Sequence, residues 1–242
     1  MVKTISETPA EQDLSVGFFM SEGYLERASY LYAPDYVHAR EMILPGNMVL
    51  DAGCGAGTGL PILSWAAGKE GRVIGVDPCP KFIEVARNQV GEIGLNNVEL
   101  YVADARDLGE EKSGKYDAIT CCNVLYALPR EEADRMLLEL NRVCKPGGQI
   151  FVSALGTGFR DYLLTNPKFG PKGVTQEKLD YLLAQTSFYT ESEIDAALKT
   201  AGFEIDKRDT IELSAAYPGL AQGMFLCGEV PAYRHEVFAR KL

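Results

Sequence analysis

The chain has 242 residues, which is enough for one large domain or two small ones with an adequate hydrophobic core. Its hydrophobic fraction of 46% and charged fraction of 24% are ordinary for a soluble globular protein. The formal net charge of -10 is opposite in sign to that expected of a nucleic-acid-binding protein, so the composition disfavours a nucleic acid as partner.

The sequence also indicates where the protein resides. No stretch approaches the roughly 20 apolar residues needed to cross a bilayer, and the N-terminus lacks the positive and apolar segments of a secretory signal. The six cysteines form no C-x-x-C pair and mostly lie in apolar runs, as reduced core residues do. We therefore expect a cytoplasmic protein without a membrane partner, and the sequence leaves a homo-oligomer open.

The first 44 residues precede the regular part of the chain. Residues 1–20 are polar and aperiodic, which predicts a mobile arm. Residues 22–44 suggest two helical pieces broken at Pro34. Four tyrosines in this segment either pack on the sheet or line a ligand pocket: Tyr24, Tyr30, Tyr32 and Tyr36.

From residue 45 onward strands and helices alternate. The pattern predicts strands at about 47–51, 72–77, 97–104, 116–123 and 149–155. Helices are expected from Thr58 to the Gly68–Gly71 region, from Pro80 to Ile93 and from about Arg130. The second helix should bury Phe82, Ala86, Val90 and Ile93, and the third Ala133, Met136, Leu137, Leu140 and Val143.

The alternation is interrupted once and then resumes. Residues 154–189 are too long for an ordinary connection and predict a partly helical cap inserted over the site. Thr190 and Glu193 form a capping box that starts a short helix, which ends at Gly202. Residues 203–213 and 224–230 then predict two strands, an antiparallel pair at the sheet edge.

These elements predict an α/β protein with a Rossmann-like, doubly wound, seven-stranded, mainly parallel sheet, an antiparallel edge strand, and helices on both faces. We expect a single domain over 1–242: N-terminal arm and helices at 1–44, core at 45–153, cap at 154–189, and the rest of the sheet at 190–242. Ligands of such sheets bind beyond the carboxyl ends of the strands. Four polar residues end predicted strands there: Asp51, Asp77, Asp104 and Asn123.

A glycine-rich loop, DAGCGAG, follows the first strand at residues 51–57. It does not fit the dinucleotide pattern G-x-G-x-x-G, because the third glycine position is occupied by Thr58 or by Leu60. The lysine of a phosphate-binding loop is absent as well. Asp51 would repel a pyrophosphate but attract an ammonium or sulfonium group. The loop therefore predicts a cationic ligand that carries a nucleoside.

Asp77 lies twenty residues after Gly57, at the end of the second strand. A carboxylate in that position can accept hydrogen bonds from both hydroxyls of a ribose. The alternative is that Asp77 only caps the following helix.

The segment from Asp51 to Gly57 resembles the first motif, acidic-x-Gly-x-Gly-x-Gly, of the class I S-adenosylmethionine-dependent methyltransferases. The resemblance covers about residues 45–153 and, loosely, 190–230. It implies S-adenosylmethionine as the cofactor, with a binding site made of Asp51, Ala52, Gly53, Gly55, Asp77, Pro78, Asp104, Ala105 and Asn123.

The resemblance also implies a role for several of these residues. Asp77 would bind the ribose and Pro78 would pack on the adenine, while Asp104 with Ala105 would meet the adenine amino group, a part that Asp107 could also take. Asn123 would face the methionine end of the cofactor. In the same way Tyr126 would face the methyl acceptor.

Residues 121–129 resemble the small-molecule branch of the family and lack both the signature of amino-directed nucleic-acid methyltransferases and a strand-four aspartate for a metal. We therefore expect methyl transfer to an O, N or C nucleophile of a small aromatic or apolar metabolite, without a metal. The aromatic residues of 22–44 and of the cap would line its pocket, among them Phe159, Tyr162, Phe169 and Tyr181, with Arg160 or Lys168 for an acid group.

No catalytic residue stands out, since the methyl group of the cofactor is already activated. His38 and His235 are each either a general base or a residue satisfied elsewhere. The competing functions are a cofactor-binding protein without transfer chemistry, a nicotinamide oxidoreductase, and a methyltransferase acting on protein or RNA.

Overall fold

The computed structural model describes residues 24–158, 185–213 and 233–242. Its helices are α1 (Tyr24–Ala39), α2 (Leu60–Ala67), α3 (Pro80–Ile93), α4 (Arg130–Val143) and α5 (Glu191–Thr200). Its strands are β1 (Met48–Ala52), β2 (Arg72–Asp77), β3 (Val98–Val102), β4 (Tyr116–Cys122), β5 (Cys144–Leu155), β6 (Phe203–Glu212) and β7 (Tyr233–Lys241). Short 3-10 helices span Arg40–Met42, Glu110–Lys112 and Leu125–Ala127.

The seven strands form one sheet in the order β3-β2-β1-β4-β5-β7-β6. Neighbours from β3 to β5 are parallel, and β7 is antiparallel to both β5 and β6. The predicted Rossmann-like sheet with an antiparallel pair at one edge is therefore confirmed. The reversed strand is the inner member of that pair, and it comprises residues 233–241. The expected strand at 224–230 lies outside the described residues.

Helices cover both faces of the sheet, as the alternating pattern requires. One face packs against α4 and α5, where all five residues predicted for the inner side of α4 are buried. The opposite face packs against α1, α2 and α3. On α3 the buried residues are Ile83 and Ala86, whereas Ile93 is 51% exposed, so its predicted inward position is wrong.

Local signals set most of the helix ends. Gly68 ends α2 with a φ of +69°, and Gly94 ends α3 in the left-handed region that glycine adopts without strain. Thr190 and Glu193 form the predicted capping box at the start of α5. The helix α2, which follows the glycine-rich loop, begins at Leu60 and not at the predicted Thr58, because the loop extends over residues 53–59.

The predicted break at Pro34 is wrong, because α1 runs through it from Tyr24 to Ala39. An internal proline costs a helix about 3 kcal/mol. Three residues just after Pro34 are buried against the rest of the protein, namely Asp35, Tyr36 and Ala39. Their burial and contacts offset the cost of the missing hydrogen bond, which the local sequence could not show.

No helix in the described parts of the chain is long and apolar enough to cross a membrane.

Candidate cofactor site

The carboxyl ends of β1, β2, β3 and β4 lie side by side. Ala52 pairs with Val76 in β2, and Asp77 pairs with Val102 in β3. On the other side of β1, Asp51 pairs with Thr120 in β4. The chain leaves β1 for β2 and returns to β4 on the opposite side, so the strand order reverses between β1 and β4. Open α/β sheets bind their ligands at such a reversal.

The glycine-rich loop folds back on the end of β2. The amides of Gly53 and Cys54 both donate to the carbonyl oxygen of Val76, at 2.9 and 3.0 Å. Gly53, Gly55 and Gly57 all have positive φ values, of +79°, +52° and +94°. A Cβ on Gly53 would lie 2.4 Å from Val124, whereas a Cβ on Gly55 would meet nothing within 4 Å. The loop is thus packed at its base and open at Gly55, where a ligand can approach the backbone.

A fourth glycine, Gly59, allows the ring of Tyr36 to pack directly against the end of the loop. A Cβ there would lie 2.1 Å from the ring of Tyr36, which is buried at the end of α1. Sequence reasoning missed Gly59, because it belongs to no recognised motif. Tyr36 serves the packing role foreseen for these tyrosines, and its hydroxyl also donates to Asp51 Oδ1 at 3.3 Å.

Asp51 is fully buried at the end of β1. Its Oδ1 accepts from Thr120 Oγ1 at 2.8 Å and from Tyr36, while Oδ2 has no hydrogen-bond partner among the described residues. Burial raises the pKa of Asp51 from 3.8 to about 7, against the two hydrogen bonds that lower it. A buried carboxylate with an unused oxygen fits a cationic ligand, because the ligand would supply the missing partner.

Asp77 holds the loop and the following turn together. Its Oδ2 accepts from the amide of Gly55 at 3.0 Å and its Oδ1 from that of Cys79 at 2.9 Å. Burial raises the pKa of this carboxyl, and the two amides oppose the rise. The residue at the N-cap position of α3 is Cys79, not Asp77. Each oxygen keeps a further lone pair for a ligand hydroxyl, and the exposed Pro78 lies next to it.

Asp104 follows β3 and is bound by Arg106. The guanidinium donates from Nε and Nη2 to the two carboxylate oxygens at 2.6–3.0 Å, and it also reaches Glu132. Burial alone would raise the pKa of Asp104, but the hydrogen bonds from Arg106 outweigh it and lower the pKa. Ala105 beside it is buried. The alternative, Asp107, lines a shallow groove on α4 with Arg135 and Arg142.

Asn123 follows β4 and has a φ of +54°, the only positive value of a non-glycine residue in the described chain. Its backbone amide donates to Ser153 Oγ of β5, and its side-chain Nδ2 donates to Asp35 of α1. Asp35 also pairs with Arg234 of β7. Ser153, Asp35 and Arg234 were not predicted to lie at the site. A carboxylate among the apolar and aromatic residues of α1 was the only signal, because Arg234 lay outside the predicted strands.

The segment after Asn123 contains Tyr126, the residue predicted to face the methyl acceptor. Its hydroxyl forms a hydrogen bond with Tyr32 of α1, and burial raises its pKa well above the usual value of 10. The carbonyl oxygen of Tyr126 accepts from the amide of Ser187, which lies near the end of the predicted cap. The structure thus brings together a tyrosine of the N-terminal segment, the strand-four turn and the end of residues 154–189. Phe159, Arg160, Tyr162, Lys168, Phe169 and Tyr181 lie outside the described residues.

The two histidines have structural partners. His38 Nδ1 lies 2.6 Å from Glu236 Oε2. The ring of His235 lies 3.0 Å from the carbonyl oxygen of Tyr189 and 3.1 Å from Thr210 Oγ1. Burial lowers the pKa of His235, which favours its neutral form. Both histidines therefore match the interpretation that they are satisfied elsewhere.

The described cysteines are free thiols. Cys54, Cys121, Cys122 and Cys144 are buried, and Cys79 is half-buried. Cys121 and Cys122 face opposite sides of the sheet, as expected of neighbours in a strand. Cys227 lies outside the described residues. Within the described ranges, no three His, Cys, Asp or Glu side chains are grouped so that they could hold a metal ion.

The sequence is similar to a known protein family and to several characterised proteins. Residues 49–148 match the family model described as a methyltransferase domain. A ubiquinone biosynthesis O-methyltransferase of Coxiella burnetii is 33% identical over 132 residues, covering 52% of this chain and 50% of the relative. The protein of the same name from Thiobacillus denitrificans is 30% identical over 167 residues, covering 68% and 67%. The chain thus spans about half the length of the Coxiella relative.

Solved structures share the fold at low sequence identity. A SAM-dependent methyltransferase from Aquifex aeolicus superposes with a TM-score of 0.60 and 22% identity, covering 95% of this chain and 98% of the other. The cyclase SpnF superposes with a TM-score of 0.61 and 19% identity, covering 85% and 80%. Identities this low show a common fold alone. The relationship to the Thiobacillus protein, together with the match at residues 49–148, goes further: the chain belongs to the class I S-adenosylmethionine-dependent methyltransferase family.

Proposed function

We propose that the protein binds S-adenosylmethionine at the carboxyl ends of β1 to β4 and transfers its methyl group to a small molecule. The single observation that carries the proposal is the unpaired, buried Oδ2 of Asp51, at the start of the loop whose backbone is open at Gly55. That arrangement provides an anionic acceptor and a backbone surface for a nucleoside that carries a positive charge. The cofactor supplies the methyl group on a sulfonium, already activated toward a nucleophile.

In this proposal each of the remaining site residues contacts a different part of the cofactor. Ala52 and Gly53 support the loop, and Asp77 accepts from the ribose hydroxyls while Pro78 packs on the adenine. The ionised Asp104, with Ala105 buried next to it, accepts from the adenine amino group. Asp104 is favoured over Asp107, because Asp107 lines a groove on α4 instead. Asn123 faces the methionine end.

The protein's contribution to transfer is mainly positional. Methyl transfer needs the nucleophile aligned with the sulfonium at about 3–3.5 Å and shielded from water. Tyr32 of α1 and Tyr126 after β4 form one hydrogen-bonded pair beside Asn123, and Ser187 binds the same turn. In this proposal the acceptor lies next to this pair. Two tyrosine rings suit an aromatic or apolar metabolite.

The chemical class of the acceptor can be narrowed further. The names of the curated relatives specify O-methyl transfer, which favours an oxygen over a nitrogen or carbon nucleophile. The net charge of -10 argues against a nucleic acid. The described thiols are all free, which suits the reducing cytoplasm. We regard the whole chain as a single domain in which residues 1–44 and 154–189 select the acceptor.

A second function is a cofactor-binding protein without methyl transfer. Its support is the common fold with SpnF, which is named as a cyclase and not as a methyltransferase. The two functions differ in whether S-adenosylhomocysteine accumulates. A protein that only binds the cofactor would form none with any acceptor.

Calorimetric titration with S-adenosylmethionine and S-adenosylhomocysteine tests the site. Asp77→Ala should weaken binding by roughly 100-fold or more, because two hydrogen bonds to a charged group are lost at about 1.5–3 kcal/mol each. Asp104→Ala should weaken it less, and Asp107→Ala should leave it unchanged. Micromolar binding that is insensitive to Asp77→Ala would show that the ribose lies elsewhere.

Asp117→Ala is the matched control for Asp77→Ala. Asp117 also accepts from the backbone of a neighbouring strand, at Met48, and it pairs with Lys145, but it lies at the amino end of β4. It should cost the fold a similar stability and leave cofactor binding intact. If the cofactor binds, phenols and carboxylic acids are screened for release of S-adenosylhomocysteine, with product masses increased by one methyl group.

A further inference from the structure

A buried charged cluster joins four separate elements next to the proposed methionine end of the site. Asp35 of α1 is completely buried. Its Oδ2 accepts from Ser153 Oγ of β5 at 2.6 Å and from Asn123 Nδ2 after β4. Its Oδ1 lies 2.7 Å from Arg234 Nη2 of β7. The cluster thus connects the N-terminal helix to three parts of the sheet.

The contact with Asp35 determines how the side-chain amide of Asn123 is oriented. An asparagine amide has a donor nitrogen and an acceptor oxygen, whereas an ionised carboxylate only accepts. Asn123 must therefore direct Nδ2 to Asp35, and its Oδ1 becomes the atom available for another partner. With the amide turned over, two oxygens would face each other without a proton between them.

The groups that contact Asp35 favour its ionised form, because Ser153 and Asn123 donate to it and the Arg234 guanidinium lies against it. Burial raises the pKa of Asp35 from 3.8 to about 6, and Arg234, Ser153 and Asn123 oppose the rise. The backbone of Asn123 is fixed as well, because its amide donates to both Ser153 Oγ at 3.0 Å and Ser153 O at 3.1 Å. A non-glycine residue whose backbone is held in the left-handed region by its surroundings is typical of a functional position.

We propose that Asp35 is a positioning residue, which makes Asn123 present its Oδ1 acceptor to the α-ammonium group of the cofactor. The proposal rests on the proposed function, in which Asn123 faces the methionine end. An amide oxygen suits an ammonium group, whereas an amide NH₂ in its place would repel it. Asp35 would contribute to cofactor binding without touching the cofactor.

Two ligands separate this role from general support of the site. S-adenosylhomocysteine carries the α-amino and carboxylate groups, and 5′-methylthioadenosine lacks both but keeps the adenosine and the thioether. In calorimetric titrations, Asp35→Ala should weaken S-adenosylhomocysteine by about 10- to 100-fold, the loss expected for one hydrogen bond to a charged group. Binding of 5′-methylthioadenosine should change by less than about threefold.

A double-mutant cycle tests whether Asp35 acts through Asn123. The variant with both Asp35→Ala and Asn123→Ala should bind S-adenosylhomocysteine no more weakly than Asn123→Ala alone, because the orienting carboxylate has nothing left to orient. Additive losses would refute the proposal. If Asp35→Ala does not fold, Asp35→Asn preserves the size and one acceptor and should show the same selective loss, smaller in extent.

His38→Gln is the matched control. His38 forms the neighbouring contact between the same helix and the same strand, to Glu236, but does not touch Asn123. Both ligands should retain their affinity in this variant. If the wild-type protein binds neither ligand, the proposed function itself fails. If it binds both and Asp35→Ala weakens both alike or neither, only the positioning role is refuted.

Discussion

Asp51→Asn should stabilise the free protein and weaken its binding of the cofactor. In the folded protein the pKa of Asp51 is about 7, compared with 3.8 for an ordinary aspartate. The folded state therefore holds a proton that the unfolded chain releases, and stability falls as the pH rises from about 4 to about 7. Asparagine removes this penalty, because it is neutral and its oxygen can still accept from Thr120 and Tyr36.

The magnitude follows from the two pKa values. Each pH unit between them is worth about 1.4 kcal/mol, so ionised Asp51 costs the folded state about 4 kcal/mol at pH 8. The new Nδ2 of the variant replaces the unpaired Oδ2 and costs about 1–3 kcal/mol as a buried donor. We therefore expect a net gain of about 1–3 kcal/mol at pH 8, with no gain from ionisation near pH 4.

Urea denaturation at pH 4, 6 and 8 measures this difference, and calorimetry measures cofactor binding of the same variant. A cationic ligand loses its charged acceptor, so binding should weaken by roughly tenfold or more. Asp51→Asn that is destabilising at every pH would refute the assigned pKa. A stabilised variant that binds S-adenosylmethionine as tightly as the wild type would show that Asp51 does not serve the ligand.

Two further outcomes are expected. Gly59→Ala should destabilise the protein by about 1–3 kcal/mol in urea denaturation, because its Cβ would clash with the ring of Tyr36. The control is Gly91→Ala in α3, where the added Cβ meets open space and should stabilise the protein by about 0.5–1 kcal/mol. Equal effects of the two substitutions would contradict the packing described for the loop. As the pH increases toward 7, Asp51 loses its proton, and the affinity for S-adenosylmethionine should rise by up to about tenfold per pH unit. In Asp51→Asn the affinity should depend less on pH.

Local patterns were sufficient for the sheet and for the position of the site. The helix at 130–143 shows a complete 3.6-residue period, and all five of its inner residues are buried. Strand ends were readable because Asp51, Asp77 and Asn123 each interrupt an apolar run. Since parallel strands align their carboxyl ends, polar residues at those ends had to meet at one edge. Neither step required knowledge of distant contacts.

Where the sequence predictions were wrong or incomplete, tertiary contacts decided the outcome. The break at Pro34 was predicted from the lost hydrogen bond, but burial of Tyr36 and Ala39 kept the helix continuous. Ile93 continues the apolar period of α3 and yet lies at its exposed end. Gly59 matters only because Tyr36 packs on it, which neither residue reveals alone.

The buried ion pair between Asp35 and Arg234 is the feature furthest from sequence reasoning, because its partners lie near opposite ends of the chain. Replacing such a pair by apolar residues is often neutral or stabilising, so stability alone does not explain it. What an apolar pair could not do is orient the amide of Asn123. The pair also fixes α1, which carries Tyr32, to the strand that ends the chain. If Asp35 acts as proposed, a shift of α1 on the sheet would reach the acceptor pocket through Tyr32 and the cofactor through Asn123. Selection of the acceptor and affinity for the cofactor would then be coupled through one carboxylate.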